Sequence, residues 1–206
     1  MEEKTVPFII YAESTPNPAT MKFVANKYLL PNNITFESED PTKNDLSPLA
    51  QNLFNFSFVQ KVYIANNFIS ITRTDVIEWE DVVHEIREFI GDFLNTGGVS
   101  YVEGMNNDQA KTEAKASFTA MSSHNDPKNE IEKNIISILD EYVKPAVEND
   151  GGAILFDSYD KGVVSLILKG SCSGCPSSTM TLKAGIENML KQMMPEDVEE
   201  VVALNG

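Results

Sequence analysis

The sequence predicts an α+β protein made of two small α+β domains joined by a flexible linker. Residues 5–98 combine short β-rich runs with amphipathic helical runs, and residues 127–206 repeat such a mixture in the order α-β-β-α-β. Between them, hydrophobic periodicity is lost from Gly104 to Asp126, so we place a linker at residues 99–126. A chain of 206 residues is long enough to bury two small cores.

The first domain is predicted to begin with strands and to end in a long helix. Ser47 followed by Pro48 predicts a helix start, because serine caps the free backbone N–H groups and proline fits the first turn. Asn66 and Asn67 tolerate left-handed backbone and predict a hairpin turn. The predicted elements are strands at 8–11, 21–24 and 34–36, a helix at 48–55, strands at 59–64 and 68–72, and a helix from Trp79 to Leu94.

The second domain is predicted to begin with a helix capped by Asn129. Pro145 lacks a backbone N–H, so we expect a kink or a restart of that helix there, and Asp150-Gly151-Gly152 ends it. The remaining predicted elements are strands at 153–159 and 163–168, a helix that starts after the cysteines and stops before Pro195, and a strand at 198–204.

Charge and hydropathy exclude several classes of partner. The formal charge, 16 − 31 = −15, argues against binding to nucleic acid or to an anionic membrane surface. No apolar run approaches the roughly 20 residues that a membrane-spanning helix needs. The start of the chain, Met1–Pro7, carries acidic residues where a targeting peptide carries basic ones, so we expect a cytoplasmic location.

The two cysteines of the chain, Cys172 and Cys175, form a CxxC motif between a strand and a helix. The free N–H groups and the positive end of a helix favour thiolate over thiol, so this position predicts activated, exposed sulfur atoms. In a reducing compartment a single CxxC indicates redox chemistry or metal binding rather than a structural disulfide.

Three interpretations of the motif remain open on the residues alone. A thioredoxin-like dithiol fits the strand-turn-helix context, but too few strands surround it. Zinc or an iron–sulfur cluster needs four ligands, and His84 and His124 stand at spacings that do not match a metal site, so two chains would each give Cys172 and Cys175. A purely structural turn is the third.

The residues around the cysteines resemble a known family. The run from Cys172 to Glu187, CSGCPSSTMTLKAGIE, and the upstream run from Val143 to Gly152, VKPAVENDGG, resemble the C-terminal domain of NifU-like (Nfu-type) iron–sulfur cluster proteins. The run from Thr15 to Phe23, together with the helix that starts at Trp79, resembles the N-terminal domain that accompanies this module.

The resemblance implies a scaffold or carrier without enzymatic activity. It implies a 4Fe-4S cluster held between two protomers by Cys172 and Cys175, a homodimer in the loaded state, apo iron–sulfur proteins as clients and the cluster-assembly machinery as donor. No cysteine remains to build the further cluster-binding domains of longer NifU proteins, so delivery or storage is favoured over assembly. A thioredoxin-like thiol-disulfide oxidoreductase is the alternative.

Other candidate features have simpler interpretations. Gly97-Gly98 and Gly151-Gly152 match no phosphate-binding motif and are interpreted as helix stops. Lys169 and Lys183 flank the motif, and they either lower the charge around a bound anionic cluster or are merely exposed. No Ser/His/Asp set and no spaced pair of carboxylates supports hydrolytic catalysis.

Overall fold

A computed structural model describes residues 6–31, 34–40, 42, 46–102, 124–173 and 176–205. The chain divides into two compact units, an N-terminal and a C-terminal one, and each combines helices with a sheet. The predicted α+β class and the two-domain organisation are therefore confirmed. Most of the predicted linker, residues 103–123, lies outside the described residues. No helix in the described part of the chain is both long and apolar enough to cross a membrane.

In its described residues, the N-terminal unit is a five-stranded antiparallel sheet with two helices. The strands lie in the order β1-β2-β5-β4-β3. Its elements are β1 Ile10–Ser14, β2 Thr20–Ala25, β3 Thr35–Ser38, α1 Pro48–Leu53, β4 Val59–Ala65, β5 Phe68–Arg73 and α2 Trp79–Asn95.

The helices bury one apolar stripe each against the sheet. Helix α2 places Trp79, Val82, Ile86, Ile90 and Leu94 in the core, at the three- and four-residue steps of an amphipathic helix. The ring of Trp79 meets Phe23 of β2 edge to face at 6.0 Å between ring centres. Burial of these side chains holds α2 in place, since its N-cap residue, Glu78, makes no side-chain capping bond.

Two local predictions in this unit hold, at Ser47 and at Asn66. The Ser47 hydroxyl accepts a hydrogen bond from the Ala50 N–H at 3.1 Å, and Asn66 adopts the left-handed conformation with φ 45°. The first strand differs: it runs from Ile10 to Ser14 rather than from residue 8 to 11. It lies at the sheet edge with its last four residues exposed, so no apolar alternation marked its end.

Lys61 of β4 is a buried cation in this unit. Its ammonium lies 3.0 Å from a carboxylate oxygen of Glu37 and 2.9 Å from one of Glu39. Burial lowers the pKa of Lys61, but the charges and hydrogen bonds of Glu37 and Glu39 outweigh it and leave the pKa raised. The Glu37 side chain is only 6% exposed, so Lys61 places a cation beside a buried carboxylate.

We expect Lys61→Met to lower the free energy of unfolding of the N-terminal unit by about 3–5 kcal/mol, because it leaves the buried Glu37 carboxylate without its cation. Urea denaturation followed by the fluorescence of Trp79, the single tryptophan of the chain, measures this. Glu85→Gln is the control, since Glu85 is an exposed charged residue on α2 of the same unit. An unchanged urea midpoint in Lys61→Met would show that the ion pairs of Lys61 do not stabilise this unit.

The C-terminal unit packs its helices on a three-stranded sheet of order β6-β7-β8. Strands β6 and β7 are antiparallel, and β8 lies parallel to β7. Its elements are α3 Glu130–Ile138, a π-helical segment Leu139–Val143, α4 Lys144–Asn149, β6 Gly152–Asp160, β7 Val163–Gly170, α5 Pro176–Met193 and β8 Glu200–Asn205. This is the predicted α-β-β-α-β order.

The disturbance predicted at Pro145 takes the form of a π-helical turn. The Lys144 N–H bonds to the Leu139 carbonyl, five residues back, where an α-helix would use the fourth. Because Pro145 has no N–H, the normal ladder cannot continue through it, and the wider turn passes the chain into α4 without ending the helix. Asn129 caps α3 as predicted, accepting from the Glu132 N–H at 2.8 Å.

The described ends of the predicted linker are tied to the units. On the N-terminal side, the Ser47 hydroxyl donates to the Ser100 carbonyl at 2.7 Å. On the C-terminal side, the Asn125 N–H donates to the Phe156 carbonyl at 3.0 Å, and the Asn125 amide donates to the Asp157 carbonyl at 2.7 Å. These bonds cover part of the free edge of β6.

Candidate metal centre

Cys172 lies in the turn between β7 and α5. Gly170 ends β7 in the left-handed conformation with φ 63°, and the helix begins at Pro176. Two hydroxyl groups fix the turn: the Ser173 hydroxyl donates to the Gly170 carbonyl at 2.9 Å, and the Thr179 hydroxyl donates to the Cys172 carbonyl at 3.0 Å. The second predicted ligand, Cys175, lies outside the described residues.

The turn Asp150-Gly151-Gly152 forms one wall of this site. The Ser171 N–H donates to the Gly151 carbonyl at 3.2 Å, and the Ser171 hydroxyl donates to the Asp150 carbonyl at 2.5 Å. Helix α4 ends at Asn149, just before this turn, which confirms the predicted helix stop. The structure adds a contact that the sequence did not reveal, between the turn and the cysteine about twenty residues later.

The sulfur atom is buried. Cys172 is 8% exposed, and burial raises the pKa of its thiol to about 11, with the Asp150 carboxylate adding to the rise and the Ser171 hydroxyl opposing it. The prediction of an exposed, activated thiolate is therefore wrong for Cys172. The helix dipole acts within its first turn, and Cys172 stands before that turn begins. Because metals bind the thiolate, a metal ligated by Cys172 would require this thiol to lose its proton.

Cys172 belongs to the core of the C-terminal unit and lines a groove of mixed character. Val143, Val147, Leu182, Ile186 and Met189 give the groove apolar walls, and Asp150, Ser171 and Thr181 contribute polar groups.

Neither histidine lies on the turn that holds Cys172. His84 is exposed on α2 of the N-terminal unit. His124 has both ring nitrogens engaged: Nδ1 accepts from the Phe156 N–H at 2.7 Å, and Nε2 lies 3.1 Å from an Asp140 carboxylate oxygen. Among the residues that the structure describes, no three His, Cys, Asp or Glu side chains are grouped to hold a metal ion.

The lysines flanking the motif differ from each other. Lys169 is buried, with 4% of the residue exposed. The interpretation that Lys169 is merely an exposed lysine is therefore wrong. Lys183 of α5 is partly exposed and lies 4.0 Å from a carboxylate oxygen of Glu200. Neither observation assigns the lysine a role in binding a cluster.

In the apo-protein we expect the alkylation rate of Cys172 to rise about tenfold per pH unit with no plateau below pH 10, because its thiol has a pKa of about 11. Cys175→Ser isolates the Cys172 signal, and iodoacetamide labelling read by mass spectrometry measures it. A plateau below pH 9 would contradict the burial of this thiol.

His124→Ala is expected to destabilise the C-terminal unit by about 1–3 kcal/mol, because it leaves the Phe156 N–H without its acceptor. His84→Ala is the control and should change stability by no more than about 0.5 kcal/mol. Far-UV circular dichroism follows the loss, and Trp79 fluorescence should not move, since Trp79 lies in the N-terminal unit. Equal stability of both variants would show that the His124 bonds are dispensable.

Family models match both units. The model described as "Scaffold protein Nfu/NifU N terminal" matches residues 10–97, and the one described as "NifU-like domain" matches residues 135–202. Among solved structures, the chain is similar to a NifU-like protein from Saccharomyces cerevisiae, with 21% identity and a TM-score of 0.42, over 50% of this chain and 92% of that chain.

Curated relatives extend across nearly the whole chain. The NFU1 iron-sulfur cluster scaffold homolog of Drosophila willistoni is 37% identical over 93% of this chain, and the chain spans 63% of that protein's length. The human protein of the same name is 33% identical over 94% of this chain, which spans 72% of that protein's length.

These relatives correct one prediction. Both are named as mitochondrial, which contradicts the cytoplasmic location that we inferred from the acidic residues at the start of the chain. The charge of those few residues was an insufficient basis for assigning a compartment. With both domain models matched and a relative aligned over most of both lengths, the chain belongs to the Nfu family of iron–sulfur cluster scaffold proteins.

Proposed function

We propose that this protein carries a 4Fe-4S cluster between two protomers, through Cys172 and Cys175 of each, and passes it to apo-proteins. The observation that carries the proposal is the fixed strand-to-helix turn that holds Cys172, in a family of cluster scaffolds. The cluster is cargo in this scheme, and the protein does no chemistry on it beyond binding and release.

The donor set fits such a cargo. Thiolate sulfur is the usual protein ligand of iron–sulfur clusters, and a 4Fe-4S cluster takes four of them. Each chain has two cysteines, and the histidines are either exposed in the other unit or already hydrogen-bonded. A second copy of the chain supplies the missing pair most simply, which makes the loaded form a homodimer.

Further parts of the proposal rest on the relatives. Their names describe scaffolds, which supports a protein without enzymatic activity that takes its cluster from assembly machinery and gives it to client apo-proteins. The same names support a mitochondrial location. We also propose residues 5–98 and 127–206 as the two domains, with the cluster on the second.

The buried thiol counts against the alternative, a thiol-disulfide oxidoreductase. Such an enzyme attacks with an exposed, low-pKa cysteine at the first position of its CxxC. Here the first cysteine is 8% exposed and its pKa is raised to about 11.

Anaerobic reconstitution with iron and sulfide is the decisive test. We expect about four irons per two chains, with the mass of a dimer, because four thiolates complete one cluster. Cys172→Ser and Cys175→Ser should each abolish uptake, and His84→Ala should retain it. Incubation with an apo 4Fe-4S dehydratase should restore that enzyme's activity. A colourless, iron-free monomer would refute the proposal, and reduction of a disulfide substrate by the monomer would favour the alternative.

A further inference from the structure

Gly152, the first residue of β6, faces the sulfur atom of Cys172. A Cβ atom built on Gly152 would lie 2.6 Å from Cys172 Sγ, 2.7 Å from the Lys169 carbonyl oxygen and 3.2 Å from Cys172 Cβ. The first two distances are shorter than real Cβ contacts in proteins. The sulfur therefore occupies space that exists only because residue 152 has no side chain.

The requirement for glycine at this position is spatial. The neighbouring Gly151 adopts φ 81°, a left-handed conformation that favours glycine for backbone reasons. Gly152 is not among the residues with positive φ, and it pairs in register with Gly170 as an ordinary strand residue. Its backbone conformation would suit any residue, so what excludes a side chain is the contact with Cys172 and Lys169.

The two atoms that a Cβ on residue 152 would meet, Cys172 Sγ and the Lys169 carbonyl oxygen, differ in how easily they can move. The Lys169 carbonyl belongs to the backbone of β7, whose pairing with β6 includes Ala153 with Lys169. Cys172 is also held, through the Thr179 hydroxyl on its carbonyl and the two bonds of Ser171 to the Asp150-Gly151 turn, but its sulfur turns about a single side-chain bond. A methyl group on residue 152 would therefore displace the sulfur first.

We propose that Gly152 is a positioning residue for Cys172. Because Gly152 has no side chain, the Cys172 sulfur can occupy the position from which it binds the cluster. The predicted effect on cluster binding rests on the proposed function. Ligand atoms must be held within about 0.5 Å of the binding geometry, so a displaced sulfur would bind the cluster poorly. Glycine has no side-chain atom that could ligate a metal. It acts through the position of Sγ.

Gly152→Ala is the test, and Gly185→Ala is its matched control. Gly185 lies in α5 of the same unit, and a Cβ there meets no atom within 4 Å. We expect Gly152→Ala to lose most of its iron uptake on reconstitution, and Gly185→Ala to load like the unmodified chain. Loading by Gly152→Ala that equals the control's would overturn the proposal.

A second readout needs no cluster. In the apo-protein with Cys175→Ser, displacement of Sγ from its buried position should raise the alkylation rate of Cys172 about tenfold in Gly152→Ala, with no change in Gly185→Ala. If the unmodified chain takes up no iron, the proposed function fails, but this measurement still decides whether Gly152 positions the sulfur. An unchanged alkylation rate would overturn the proposal.

A double-mutant cycle separates positioning from a structural role. The loss in melting temperature caused by Gly152→Ala should be smaller when Cys172 is alanine, because the shortest contact has then been removed. An equal loss in both backgrounds, or failure of both to fold, would assign the glycine to the β6–β7 ladder through the Lys169 carbonyl and overturn the proposal. Folding of Gly152→Ala only when Cys172 is alanine would support it.

Discussion

The close approach of two turns around one sulfur atom is the constraint on which the candidate site depends. The turn that ends α4 and the turn that ends β7 are joined by two hydrogen bonds of Ser171, and Cys172 lies against Gly152 between them. This arrangement links the first half of the C-terminal unit to the second. The burial of Cys172 therefore depends on the pairing of β6 with β7 and on the end of α4 at Asn149.

Burial of the Cys172 thiol bears on the proposed carrier function. A thiol with a raised pKa stays protonated at neutral pH, and a protonated thiol is a poor nucleophile and a poor metal ligand. In the proposed carrier, cluster binding would have to supply the energy to remove that proton. In this scheme, protonation of the same sulfur also favours release.

Much of the fold could be predicted from the sequence, because many of its signals are local. Ser47 and Asn129 each accept a hydrogen bond from a backbone N–H three residues ahead, Asn66 adopts the left-handed conformation of its own turn, and Pro145 acts on its own helix. Strand β1 was harder to place, since an exposed edge strand carries no apolar alternation. Contacts between distant residues gave no signal: His124 bonds residues 16 and 32 positions away, and Gly152 meets a cysteine in a different turn.

The bonds of His124 and Asn125 along β6 have a consequence for self-association. Strand β6 is an edge of its sheet, and an open edge is a template on which another chain can add a strand. At Phe156 both the N–H and the carbonyl are taken, one by the imidazole and one by the Asn125 N–H. A second copy would have to displace this segment to extend the sheet from that edge.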